Sequence, residues 1–329
     1  MPTSRQQILE WAASGHLNPN NIEQALAVTQ SMPMPATQLR FLSRVVLVFA
    51  VLLLCSGVIF FFAYNWDDLS RFNKFAIAQG ALLLSLLPLL RVNLQQPAGQ
   101  ASLFAASLLV GALLALVGQT YQSGADTYEL FLVWALLITP WVLLARMPAL
   151  WLLLLLLLNV SLVLALDNLA IHRLTRLFSD PSWAVFALNA SAAVLWIIAT
   201  QRQPPTLLLR WGERVISLSS LLVITFLAIS YINSWFNSNA SSLIVWLAVA
   251  GLWLYHYRWR TLDLLLLAAL VMAAIILTIA LLGDILHKHI PMDGLLLLMS
   301  MLIIGLSSAG ALWLQQLNKS TAAKPEDAA

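Results

Sequence analysis

What most constrains this chain is a succession of apolar runs, each about as long as the hydrocarbon core of a bilayer is thick. They cover residues 45–64, 72–90, 101–119, 128–145, 148–166, 181–200, 215–232, 240–255, 262–282 and 294–314. A helix of roughly twenty residues spans about 30 Å and closes its own backbone hydrogen bonds, which is what a segment surrounded by lipid must do. Alternating strand patterns are absent, so a membrane β-barrel is not indicated. Composition agrees: 61% of residues are hydrophobic and 9% charged, with mean hydropathy +0.86, whereas soluble domains carry roughly a quarter charged residues. The expected fold is all-α, a polytopic transmembrane bundle of about ten helices with a short cytoplasmic helical hairpin at its N-terminus. The least secure break is Arg146-Met147-Pro148, where two antiparallel helices joined by a tight turn are favoured over one of nearly double length.

The stretch that reads as soluble lies before the first run. Ser4 and Gln7 fit a capping box, Ile8, Leu9 and Trp11 supply apolar contacts, and Gly15 stops a first short helix. Asn18-Pro19 then reads as the cap and first residue of a second helix carrying Ile22 and Leu26, and Pro33 and Pro35 stiffen a linker toward the membrane. The expected organisation is a hairpin and linker over 1–40, a bundle over 41–317, and a disordered polar cytoplasmic tail over 318–329. The first apolar run ends in Ala63-Tyr64-Asn65-Trp66 without a small-x-small cleavage pattern and is read as a retained span.

Basic residues set the expected orientation. With the N-terminus inside, cytoplasmic segments hold Arg5, Arg40, Arg44, Arg91, Arg146, Arg202, Arg210, Arg214, Arg258, Arg260, Lys319 and Lys324. The opposite loops hold Arg71, Lys74, Arg173, Arg176 and Lys288, so the balance is twelve to five. That is a positive-inside bias, and both termini are expected in the cytoplasm. Ten spans also invite a search for two inverted five-helix repeats, but the halves share no polar or Gly/Pro landmarks.

The most distinctive polar segment joins the third and fourth runs and holds Gln119, Tyr121, Gln122, Asp126 and Glu129 between Gly118 and the next helix. As an interaction loop, its glycines fold the backbone toward the membrane while the amides and carboxylates present acceptors to a cation or polar headgroup. The competing reading is an interfacial turn, with tyrosines in the aromatic belt and Asp126 and Glu129 favoured at a helix start. At the same membrane face, Asn65, Trp66 and Asp67 form a secondary candidate, with Asp67 or Asp68 available to cap the next helix. Within the spans, Gln79, Ser85, Asn159, Ser161, Asn189 and Ser191 are read as hydrogen bonds between helices, and Gly111, Ala115 and Gly118 as a small-residue packing strip.

Several chemistries are not indicated. No metal or cofactor site is expected: Cys55 is the one cysteine, and Asp284, His287, His289 and Asp293 lack helix-face ligand spacing. There is no nucleophile elbow, HExxH or phosphate-binding loop, so an enzyme is not expected. No Asp, Glu, Lys or Arg lies near the middle of a predicted span, which argues against ion-coupled transport. Nucleic acid is not an expected partner, because the basic residues are scattered and Arg5 in the hairpin is offset by Glu10 and Glu23.

The segments Ile8-Leu9-Glu10-Trp11, Ala63-Tyr64-Asn65-Trp66, Gly118 through Asp126, Leu130-Phe131-Leu132-Val133-Trp134, and Pro148-Ala149-Leu150-Trp151 together resemble the bacterial predicted-membrane-protein family called domain of unknown function 2157. The likeness covers about residues 1–166. It implies a multi-pass protein of the bacterial inner membrane and brings no catalytic residues. The expected function is a non-enzymatic membrane component that binds an envelope protein or a lipid through its short loops and cytoplasmic hairpin. The alternative is a facilitator or exporter of a neutral or amphipathic small molecule, with Gln79, Asn159 and Asn189 lining its path.

Overall fold

The computed structural model of the chain describes residues 8, 11–12, 14, 16–18, 21–28, 35–65, 68–121, 124–145, 147–166, 182–200, 207–233, 241–287, 289 and 291–322. Those residues form helices and no strand. Of the N-terminal hairpin, α1 spans Ile22–Val28, and the chain before it turns where His16 and Leu17 donate their N–H groups to the Trp11 carbonyl at 2.9 and 3.1 Å. Ile8 and Leu26 are buried, as the apolar spacing predicts.

The bundle helices are α2 (Pro35–Tyr64), α3 (Arg71–Leu86, continued by a 3₁₀ turn Leu87–Leu90), α4 (Pro97–Tyr121), α5 (Thr127–Ala145) and α6 (Pro148–Leu166). The second group is α7 (Ser182–Thr200), α8 (Leu207–Asn233), α9 (Ser241–Tyr255), α10 (Leu264–Leu286) and α11 (Met292–Ala322). Among the described residues nine of these are long and apolar enough to cross a membrane. The expected span over 240–255 is present as α9, but its α-helix has 15 residues and is followed by a π-helical turn, His256–Arg260.

Prolines mark three of the helix starts. Pro35 opens α2 instead of ending a linker, because a first-turn proline gives up no helical hydrogen bond. The helix therefore runs through the expected boundary at 40 without a break. Pro97 and Pro148 open α4 and α6 in the same way, and the tight turn at Met147, whose carbonyl accepts from Leu150 and Trp151, separates α5 from α6 as two helices. At α3 the cap is Ser70, whose hydroxyl accepts the Asn73 N–H at 3.3 Å. That corrects the expectation of an aspartate cap, since Asp68 falls too early to reach those amides.

Two helices organise the packing. Half of the α4 window and 56% of the α8 window are buried, against 33% or less in every other span. In the first half α4 touches α2, α3 and α5, and α5 pairs with α6; in the second, α8 touches α7, α9 and α10, and α10 pairs with α11. The hub is the third helix of the first five and the second of the last five. This difference in contact pattern agrees with the lack of repeat landmarks in the sequence.

The halves meet where α6 packs on α7 and α8. At the middle of that joint Asn159 and Asn189 exchange side-chain hydrogen bonds at 3.3 and 2.6 Å, and Ser219 donates to Asn189 Oδ1 at 2.9 Å. Inside lipid such groups have no water to fall back on, so mutual satisfaction is what permits their burial. Ser161 similarly donates to the Tyr128 carbonyl at 3.0 Å, tying α6 to the start of α5. Ser85 and Ser191 instead bond within their own helices, to Leu82 and Leu188.

Candidate functional site

A groove of about 810 Å³ lies between α2 and α4, floored by α5. Its α2 wall runs from Leu52 through Cys55, Ile59 and Phe62 to Ala63, and its α4 wall from Leu108 through Gly111, Ala112 and Ala115 to Gln119, with Trp134 of α5 at the back. The groove exists because α2 is held loosely: it leans on α4 and barely reaches α3, and only 6% of its apolar window is buried. Small residues on the facing side of α4 leave the remaining space open.

Trp134 closes the back wall by a specific contact. A Cβ built at Gly111 would overlap its Cζ2, Cε2 and Cη2 atoms, so the indole lies flat on the bare backbone of α4. Its Nε1 donates to the Ser107 carbonyl at 2.7 Å, and Phe131 stacks beside it with ring centroids 6.3 Å apart. The expected packing strip holds at Gly111 and not at Gly118. Gly111 seats an aromatic ring and Ala115 lines the groove, while nothing lies within 4 Å of a Cβ built at Gly118.

The sequence-predicted loop sits at one mouth of this groove. Gln119 is exposed and lines that mouth. Tyr121, the last residue of α4, packs on Phe75 of α3 with centroids 5.7 Å apart. Gly124 takes φ +66, the left-handed conformation that lets the chain reverse there. Asp126 is exposed and its carbonyl accepts the Glu129 N–H at 3.0 Å, while Glu129 lies half-buried in the first turn of α5. Gln122 lies outside the described residues. So do Trp66 and Asp67 of the secondary candidate; Asn65 turns back on its own helix and donates to the Phe61 carbonyl at 2.9 Å.

The other expected polar positions do not join the groove. Gln79 is exposed on α3, whereas Asn159 and Asn189 are satisfied by each other at the joint between halves. Among the described residues no three His, Cys, Asp or Glu side chains gather closely enough to hold a metal.

Sequence reading missed a second polar site at the opposite end of the bundle. Arg214 of α8 donates its Nε–H to Asp263 at 2.7 Å, and Asp263 also accepts the Leu265 and Leu266 N–H groups as the N-cap of α10. One residue earlier on α8, Glu213 faces His256 at 3.8 Å. One turn further on, Ser217 and Tyr257 share a buried hydrogen bond of 3.0 Å, and burial pushes the Tyr257 phenol well above its ordinary value. Forty or more residues separate these partners, so local spacing offers no signal for them.

The bundle, its apolar groove and its interhelical polar pairs define a polytopic α-helical membrane protein. Residues 9–151 match the family model described as "Predicted membrane protein (DUF2157)". That stretch contains α1 to α5, the groove and the Gln119–Glu129 loop; the α8–α10 site lies beyond it. No curated protein and no solved structure matches the chain.

Proposed function

We propose that this chain is a non-catalytic component of the bacterial cytoplasmic membrane that holds the acyl chain of a lipid between α2 and α4, with the polar part of that lipid at Gln119 and the loop to Glu129. The groove itself carries this reading. Its volume of about 810 Å³ falls in the range of ligand sites. From Leu52 to Ala63 the α2 wall rises about 17 Å, close to half of a ~30 Å hydrocarbon core. It has the depth of one leaflet, apolar walls, and polar groups at one end. The facilitator reading needs a polar path through Gln79, Asn159 and Asn189, and their separation gives it no support.

Filling the groove tests the proposal. In membranes containing a phospholipid with a photoreactive acyl chain, the wild-type protein is expected to crosslink at peptides of α2 and α4. The variant carrying Ala112→Phe and Ala115→Phe should lose most of that labelling while labelling elsewhere persists. Equal labelling of the filled variant would overturn the lipid reading, and crosslinks to a second protein in the groove would assign it to an envelope partner.

The same proposal puts both termini in the cytoplasm, supported by the twelve-to-five distribution of basic residues. In a Cys55→Ser background, Ser70→Cys is expected to react with an impermeant maleimide added outside intact spheroplasts, and Thr261→Cys only after lysis. The reverse pattern would invert the topology.

A further inference from the structure

We propose that the turn between α9 and α10, together with the first turns of α8, binds the phosphate of an anionic phospholipid through Arg210, Arg258 and Arg260. This site is independent of the groove and lies at the other end of the bundle. Two inward contacts build it. Glu213 meets His256, and Arg214 meets Asp263, so the start of α8 is fastened to the π-turn and to the cap of α10. Ser217 and Tyr257 lock the layer beneath. Among the described residues, Glu213 and Asp263 of this end are engaged in those inward contacts.

The arginines that remain face outward. Arg210, one helical turn before Glu213 and Arg214, and Arg260 are exposed, and Arg258 is half-buried. None of the three has a carboxylate partner among the described residues. The wide π-turn keeps Tyr257 inside while exposing Trp259, whose ring lies 5.9 Å from that of Tyr255; Trp211 is also exposed. Tryptophan and tyrosine at a span's end settle at the headgroup level. Three unneutralised guanidinium groups at that level offer forked donors to a lipid phosphate, the arrangement by which basic pockets between helices hold anionic headgroups. The aromatic collar commits the site to a membrane-borne phosphate.

The test uses the full chain purified in mild detergent, with bound lipid counted by native mass spectrometry. Wild type is expected to retain phosphatidylglycerol at least about tenfold better than phosphatidylcholine. The triple variant Arg210→Gln, Arg258→Gln, Arg260→Gln should fall to about twofold or less. Arg91→Gln, which removes an exposed arginine from the turn between α3 and α4, should behave as wild type. Equal retention of the two lipids by wild type, undiminished preference in the triple variant, or an equal loss in Arg91→Gln would each overturn the proposal. If the triple glutamine variant is not recovered folded, the triple lysine variant decides: it keeps charge and topology but not the fork, and about a threefold loss is expected. Unchanged retention there would overturn the proposal, as would displacement of the lipid by millimolar inorganic phosphate. The groove-filled variant should keep the full preference.

Discussion

Gly111→Ala is expected to destabilise the protein by about 2–3 kcal/mol, a large effect for one methyl group. The new Cβ falls within the Trp134 ring, and three ring carbons are in the way, so no rotation of a flexible tip relieves the overlap. The indole must slide off α4. It then gives up the 2.7 Å hydrogen bond to Ser107 and the stacking on Phe131. Overpacking costs about 1–3 kcal/mol and an orphaned buried N–H a similar amount, against a helix-propensity gain of under about 1 kcal/mol. Gly80→Ala in α3 supplies the control, because nothing lies within 4 Å of the Cβ it adds. That variant should be neutral or slightly stabilised. Unfolding in mixed micelles of increasing dodecyl sulfate content reads both, and equal midpoints for the two variants would refute the account. Because Trp134 also closes the groove, Gly111→Ala should reduce acyl-chain crosslinking.

The second large effect is expected at Asp263, which performs two tasks with one carboxylate. Asp263→Ala removes the cap of α10 and leaves Arg214 facing inward without its counter-charge. A lost cap costs about 1 kcal/mol and a stranded, half-buried charge more, so a total of about 2–4 kcal/mol is expected. Asp263→Asn keeps a capping oxygen and should recover roughly the capping part. Arg214→Gln in the Asp263→Ala background should cost little beyond Asp263→Ala alone, since their interaction is already gone. Strict additivity of the two changes in the same unfolding measurement would show that the 2.7 Å pair is not energetically coupled.

The spans were legible because lipid imposes one rule on every residue of a helix, and a run of apolar side chains records it directly. The break at Met147 was legible for a related reason: Pro148 belongs at a helix start. Gln119 and Tyr121 were found as an unusual polar interruption, and the structure brings Gln119 to the groove's mouth while Tyr121 packs on Phe75. The groove was hidden, because Leu52, Ala112 and Leu116 differ in no way from other apolar residues until the spacing of α2 and α4 is seen. Gly111 was legible as a packing position, but its partner Trp134 was not, since it comes from another helix. Arg214 was read as a topology signal and Asp263 drew no reading, and only the tertiary fold makes them a pair.

The loose seating of α2 has a consequence for synthesis. Its main partner is α4, which begins at Pro97, more than thirty residues after α2 ends at Tyr64. Completion of α4 at Tyr121 follows α2 by 57 residues, so at ~5–20 residues per second α2 waits roughly 3–11 s for its neighbour. During that interval α3 touches it, through contacts such as Phe62 with Ala78, and the stripe that α4 later covers faces lipid. When α4 arrives it displaces lipid from one stripe of α2 and leaves the rest, so the groove begins life already filled by the bilayer.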